Sequence, residues 1–220
     1  MADEDGVWRT IRGHRVFINK DGVIHSKGSK ALNGKKLTKK KDKKTDNTDI
    51  SHTSKITKEE VIEKYDIKEW EQKMIEDYTG VNYGSINEQL RKNFGEVDKC
   101  SLDVQNDCEG IDNILNKLPK YEGIVYRKED FDRGDYYMEG RVYTANAYTS
   151  TTAWNDISGG TILEIKQSSG CNISKLSRNP GENEVLLPRG FTYKVTKVEK
   201  TDSGYTRVYA EEVKKDASTK

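Results

Sequence analysis

Between residues 57 and 118 apolar side chains recur every three or four positions, the period of helices that bury one face. Thr57 to Glu60 fits a capping box, in which the threonine hydroxyl and the glutamate three residues on satisfy each other's free backbone N–H groups. Val61, Ile62, Tyr65, Ile67, Trp70, Met74, Ile75 and Tyr78 follow at helical spacing, and Gly80 is expected to end the run. Ser85 to Glu88 reads as a second capping box, opening a helix that turns Ile86 and Leu90 inward. A third helix is expected from near Asp107, carrying Ile111, Ile114, Leu115 and Leu118 to the core until Pro119 stops it.

After Pro119 the period changes. Short runs rich in Val, Ile, Thr and Tyr, separated by Gly, Asn, Asp, Ser or Pro, predict strands at 123–127, 140–143, 147–151, 161–166, 182–187, 191–199 and 205–213. Helices first and strands after, without regular alternation, predict an α+β fold rather than a doubly wound parallel sheet. Near the N-terminus, residues 14–18 and 23–25 flank a Lys-Asp-Gly turn and read as a small hairpin, with Trp8 and Ile11 expected to cap it. So small a sheet is marginal alone, which predicts that it docks on another surface.

Charge divides the chain. Residues 1–55 hold 14 Lys and Arg against 7 Asp and Glu, a net +7, while the remainder holds 24 against 30, a net −6. Seven lysines fall in the ten residues from Lys35 to Lys44, followed by a polar stretch to Ser54 with almost nothing to bury. This segment reads as a solvated linker. The alternative, a nucleic-acid-binding arm, is disfavoured because no aromatics are interleaved to stack on bases. The domain plan is therefore a hairpin module at 1–30, a linker at 31–55, an α+β domain at 56–215 and a tail at 216–220. No run approaches the roughly 18–20 consecutive apolar residues of a membrane helix, so no membrane partner is expected. The opening Met-Ala-Asp-Glu-Asp lacks the order of a secretory signal, which predicts a cytoplasmic protein. Cys100, Cys108 and Cys171 cannot all pair with one another and have no metal-ligand spacing, so neither a disulfide framework nor a metal is expected.

Three places put polar groups where a strand would otherwise present apolar ones: Arg127, Ser150-Thr151-Thr152, and Glu182-Asn183-Glu184. Singly each reads as an exposed edge. Their order and context, together with Tyr78-Thr79, Ile86-Asn87 through Leu90-Arg91, the 123–127 strand and the Gly181 to Pro188 segment, resemble the clostridial-type mono-ADP-ribosyltransferases of the arginine, Ser-Thr-Ser, Glu-x-Glu group. The likeness spans about residues 60–200. It implies an ADP-ribosyltransferase-like fold with N-terminal helices packed on a mixed β-sandwich core, and an enzyme that splits NAD and transfers ADP-ribose to a protein substrate.

The resemblance also implies roles. Glu184 would hold a ribose hydroxyl, and its carboxylate would oppose the positive charge that grows on the sugar as the bond to nicotinamide breaks. Ser150 would position that carboxylate. Arg127 would grip the NAD phosphates with its planar fork of donors. Thr79, Asn87 and Arg91 would complete the NAD site. Glu182 stands two residues before Glu184, a spacing that in an extended strand sends both side chains to one face. In the family, glutamate at this first position goes with arginine as acceptor.

There are departures. The loop 176–181 is short and lacks the aromatic that several relatives place there. Trp154 stands for the aromatic that follows Ser-Thr-Ser, but no arginine accompanies it. The segment from Trp8 to Ile18 loosely resembles modules of bacteriophage head proteins, which implies a phage-encoded enzyme acting on a bacterial host protein, residues 1–30 docking on a phage head protein. A toxin subunit delivered by a partner is the next reading. The competing class is a structural protein that keeps the fold without turnover.

Overall fold

The structure, a computed structural model, describes residues 56–155 and 157–214, and before them the backbone strands β1 (Gly6–Ile11), β2 (His14–Asn19) and β3 (Ile24–His25). The expected linker and the tail at 216–220 lie outside the described residues. The chain divides into two compact units, Met1–Ser54 and Lys55–Lys220.

In the first unit β2 pairs with β3 as expected, Phe17 facing His25. Residues 6–11 differ from expectation. They form a full strand antiparallel to β2, with Trp8 opposite Phe17 and Ile11 opposite His14, so Trp8 and Ile11 belong to the sheet and do not cap it. Their Val, Trp, Thr and Ile are strand-forming types.

The second unit opens with α1 (Lys58–Lys64), and the Thr57–Glu60 capping box is formed. The expected single helix then breaks. Asp66 takes a left-handed backbone, φ 48°, and the Ile67 and Asp66 N–H groups bond back to the Ile62 and Glu63 carbonyls at 3.0 and 3.3 Å. This closes a Schellman turn. Helix α2 (Glu69–Asp77) follows, and Gly80 does not stop it: a π-helical turn at Tyr78–Asn82 leads straight into α3 (Tyr83–Lys92). Ser85 therefore lies within α3 and caps nothing. Helix α4 begins at Leu102 rather than near Asp107, because Ser101 supplies the cap, and it runs to Lys117. Buried Glu71 on α2 pairs with Lys117 on α4 at 2.6 Å and so ties the two helices together.

Eight strands follow: β4 (Gly123–Glu129), β5 (Val142–Ala145), β6 (Thr149–Thr152), β7 (Thr161–Gln167), β8 (Cys171–Asn172), β9 (Glu184–Leu187), β10 (Phe191–Lys200) and β11 (Thr206–Glu212). The strand β8 was absent from the sequence expectation; two residues give no alternating pattern to read. The spatial order is β5-β10-β11-β7-β4-β6-β9-β8, with β11 and β7 parallel and the other neighbours antiparallel. Strands β4 and β6 share one backbone pair, Tyr126 with Thr152, so the sheet parts between them.

Two cores flank this parting. One joins Ile75, Leu90, Ile111 and Ile114 of the helices to Tyr148, Ile173 and Leu186. The other, made of Val125, Leu163, Ile165, Val185, Leu187 and Val208, lies among the strands. Strand β9 serves both by the two-residue alternation of strands: Leu186 turns to the helices, Val185 and Leu187 to the strand core. Glu184 is in phase with Leu186 and so starts on the helical side. Among the described residues no helix is long and apolar enough to cross a membrane.

Candidate active site

Strands β6 and β9 set the site. In their register Ser150 faces Leu186 and Thr152 faces Glu184, which puts Ser150 and Glu184 diagonally on one face. The Thr151 hydroxyl turns the other way and donates to the Val185 carbonyl at 2.5 Å, which fixes the strand pair from behind. Across the parting, Arg127 Nη1 donates to the Ser150 carbonyl at 2.9 Å and holds β4 against β6 where the ladder is thin.

Arg127, Ser150, Glu182 and Glu184 line one cavity of about 390 Å³, together with Trp154 and Gly181. Arg127 also lines a second cavity of about 390 Å³, together with Arg91 of α3, Arg133, Glu129 and Tyr148. Arg133 and Glu129 had not been singled out in the sequence; nothing in a single chain distinguishes them from solvated loop charges.

Glu184 is 5% exposed. Burial pushes its carboxyl above the usual carboxylate range, the Ser150 hydroxyl pulls it down, and the negative charge of Glu182 raises it further. A buried carboxylate is costly unless something else repays it, and such groups gather at functional sites. Behind it lies Tyr78, pushed up first by its own burial, lowered by the Asn87 amide and raised by Glu184.

The route by which the two glutamates meet corrects the sequence reading. The strand starts at Glu184, not 182; Glu182 ends a 3-10 turn, Pro180–Glu182, and Asn183 between them is left-handed at φ 47°. Pro180 favours the tight turn and has no N–H for a ladder, while asparagine tolerates the left-handed backbone. The two carboxylates thus share a cavity through a turn and not through strand alternation.

The remaining expected residues divide. Arg91 reaches the second cavity. Asn87 is buried and donates through Nδ2 to the Tyr78 hydroxyl at 3.0 Å, while its Oδ1 has no partner. Asn87 lines neither cavity and supports Tyr78 from behind the site. Thr79 lines neither cavity. Its hydroxyl donates to the Ile75 carbonyl at 2.9 Å and accepts the Arg178 N–H at 3.0 Å, engaging the loop before β9.

A family model described as ADP-ribosyltransferase exoenzyme matches residues 34–216. Over 138 residues the chain is 32% identical to Mav of Mycobacterium avium, which bears the name of an NAD(+)–arginine ADP-ribosyltransferase; the match covers 59% of this chain and 16% of Mav. Vis of Vibrio splendidus, with the same activity in its name, is 27% identical over 165 residues, covering 67% of this chain and 66% of Vis. The chain thus spans about a sixth and just under two thirds of these curated relatives. The crystal structure of Vis in complex with agmatine is similar with a TM-score of 0.54 at 25% identity, over 74% of this chain and 89% of Vis. An ADP-ribosyltransferase of Clostridium botulinum shares the fold with a TM-score of 0.65 at 22% identity, over 79% of this chain and all of the clostridial one.

Proposed function

The chain belongs to the ADP-ribosyltransferase exoenzyme family, and we propose that it cleaves NAD at the bond between nicotinamide and ribose and transfers ADP-ribose to arginine side chains of a protein. The observation that carries the proposal is Glu184, a carboxylate buried beside Ser150 in a cavity that Arg127 and Glu182 also line. A negative charge fixed there is of most value when positive charge appears on the ribose, which is when a rate is decided.

The residues present fit NAD. Arg91 and Arg127 place two guanidinium groups on the wall of one cavity, and Ser150 and Glu184 stand in the cavity beyond Arg127, whereas Asn87 lines neither. Arg127 and Arg91 are suited to phosphate oxygens, Glu184 to a ribose hydroxyl. In the transfer step the ribose carbon loses its bond to nicotinamide nitrogen and gains one to a guanidino nitrogen, and the acceptor gives up one proton. A guanidinium is a poor nucleophile while fully protonated, so a second carboxylate to orient it and take that proton is needed. Glu182 is in the same cavity as Glu184 and serves that purpose. The agmatine complex of Vis, a guanidine compound held by a relative, supports the same acceptor class.

The test is incubation of the full chain with NAD and agmatine, read by mass spectrometry. A product one ADP-ribosyl group heavier than agmatine is expected. Nicotinamide release with no agmatine product, and with protein adducts mapped to asparagine or cysteine, would overturn the acceptor.

A further inference from the structure

The loop that carries Glu182 is tied to the helical layer by contacts that line neither cavity. The Arg178 N–H donates to Thr79 Oγ1 at 3.0 Å, and the Asn179 side-chain amide donates to the Thr79 carbonyl at 3.4 Å. Thr79 Oγ1 donates in turn to the Ile75 carbonyl at 2.9 Å, so the hydroxyl is oriented by its own helix before it meets the loop. Arg178 Nη2 donates to Asp77 Oδ1 at 2.9 Å. Gly80 leaves room for that side chain: a Cβ on Gly80 would lie 2.9 Å from Arg178 Cδ and Nε, closer than carbon atoms approach. Thr79 and Gly80 both belong to the π-helical turn, a distortion that recurs at functional sites.

From this anchor the path to the second glutamate is short. The Glu182 N–H bonds to the Asn179 carbonyl at 3.1 Å, and on the far side the Thr152 hydroxyl donates to the Glu182 carbonyl at 3.0 Å. The backbone at Glu182 is therefore held between strand β6 and the π turn. The β6 end also serves the cavity; the π-turn end serves only the loop.

We infer that Asp77, Thr79, Gly80 and Arg178 form a latch that sets the position of Glu182, which makes Thr79 and Arg178 positioning residues for the acceptor and not for NAD. The inference rests on the reading of Glu182 as the group that prepares a guanidinium for attack. Glu184 is fixed independently by the β6–β9 ladder, so releasing the latch moves one carboxylate and leaves the other. The latch thus divides the two activities: bond cleavage depends on the strand, acceptor use on the loop.

Two variants of the full chain test this, Gly80→Ala, which forces the Arg178 side chain to shift, and Arg178→Ala, which removes it at a half-exposed position where folding is not at stake. Nicotinamide release without acceptor is expected to stay within about twofold of the parent. The KM for agmatine is expected to rise about two- to fivefold, the scale of the one polar contact, Arg178 to Asp77, that both variants remove. Thr79→Ser, which keeps the hydroxyl, should preserve the agmatine KM, and Thr79→Val should not. Cleavage and transfer falling together, or an unchanged agmatine KM in both Gly80→Ala and Arg178→Ala, would overturn the latch. Amide hydrogen exchange over 177–182 separates this from failure of the underlying reading. Faster exchange in the variants with no agmatine product from the parent would overturn the arginine acceptor and leave the latch standing, whereas unchanged exchange overturns the latch itself.

Discussion

Glu182 and Glu184 reach one cavity from unlike backbones, Glu182 closing a 3-10 turn and Glu184 opening a strand. The difference gives them different supports. Glu184 moves only if the β6–β9 ladder moves, whereas Glu182 follows its loop. Their charges remain coupled, because Glu182 raises the Glu184 carboxyl.

That coupling predicts opposite shifts in pH dependence. In the proposed role Glu184 acts as a carboxylate, so NAD cleavage is expected to fall as pH drops through its raised pKa, at a higher pH than an ordinary carboxylate would give. Glu182→Gln removes a like charge and should move this acid limb to lower pH. Ser150→Ala removes the hydroxyl that pulls Glu184 down and should move it to higher pH. Nicotinamide release measured across pH for both variants checks the two signs.

The same raised pKa carries a stability prediction. A carboxyl that binds its proton more tightly when folded costs nothing below its unfolded pKa, near 4.5, and costs progressively more as pH rises through the folded value. Glu184→Gln should therefore raise Tm at neutral pH, and the gain should vanish near pH 4. Thermal melts of parent and variant at the two pH values decide it.

Arg127→Lys keeps a positive charge but loses the fork that both bonds the Ser150 carbonyl and faces the two cavities. NAD affinity should fall roughly tenfold, the worth of one charge-assisted hydrogen bond of about 1.5 kcal/mol. Calorimetry of NAD binding checks this, and equal affinity would make the arginine a strand clamp only.

Far from the cavities, Ile114 on α4 is fully buried in the core shared by helices and β8–β9. Ile114→Ala should cost about 2–5 kcal/mol in stability, measured by denaturant unfolding, because the neighbours refill such a gap only in part.

Much of this architecture was legible in the sequence because it rests on periodicity. The change from a three-to-four-residue period to alternation at Pro119 marked the passage from helices to strands, and Arg127, Ser150 and Glu184 stood out as polar groups in apolar strands. What stayed hidden depends on partners distant in the chain or on uncommon backbone states. Asp66 ends α1 in a left-handed conformation that the apolar period does not announce, and the π turn lets α2 run through Gly80. Thr79 looked like part of an NAD site, yet its neighbour is Arg178, 99 residues on. The Glu182–Glu184 spacing suggested a shared strand face, which Pro180 and Asn183 replace with a turn. Trp154, which stands for the aromatic after the Ser-Thr-Thr segment, lines the first cavity.

The proposed role of Glu184 in cleaving NAD is tested most directly by comparing nicotinamide release and NAD affinity in the parent and in Glu184→Gln. The parent is expected to release nicotinamide and the variant to do so about 10²–10³-fold more slowly, the scale for loss of one preorganised electrostatic group, with NAD affinity nearly unchanged. No release by the parent, equal rates in the two proteins, or loss of NAD binding together with turnover would contradict it.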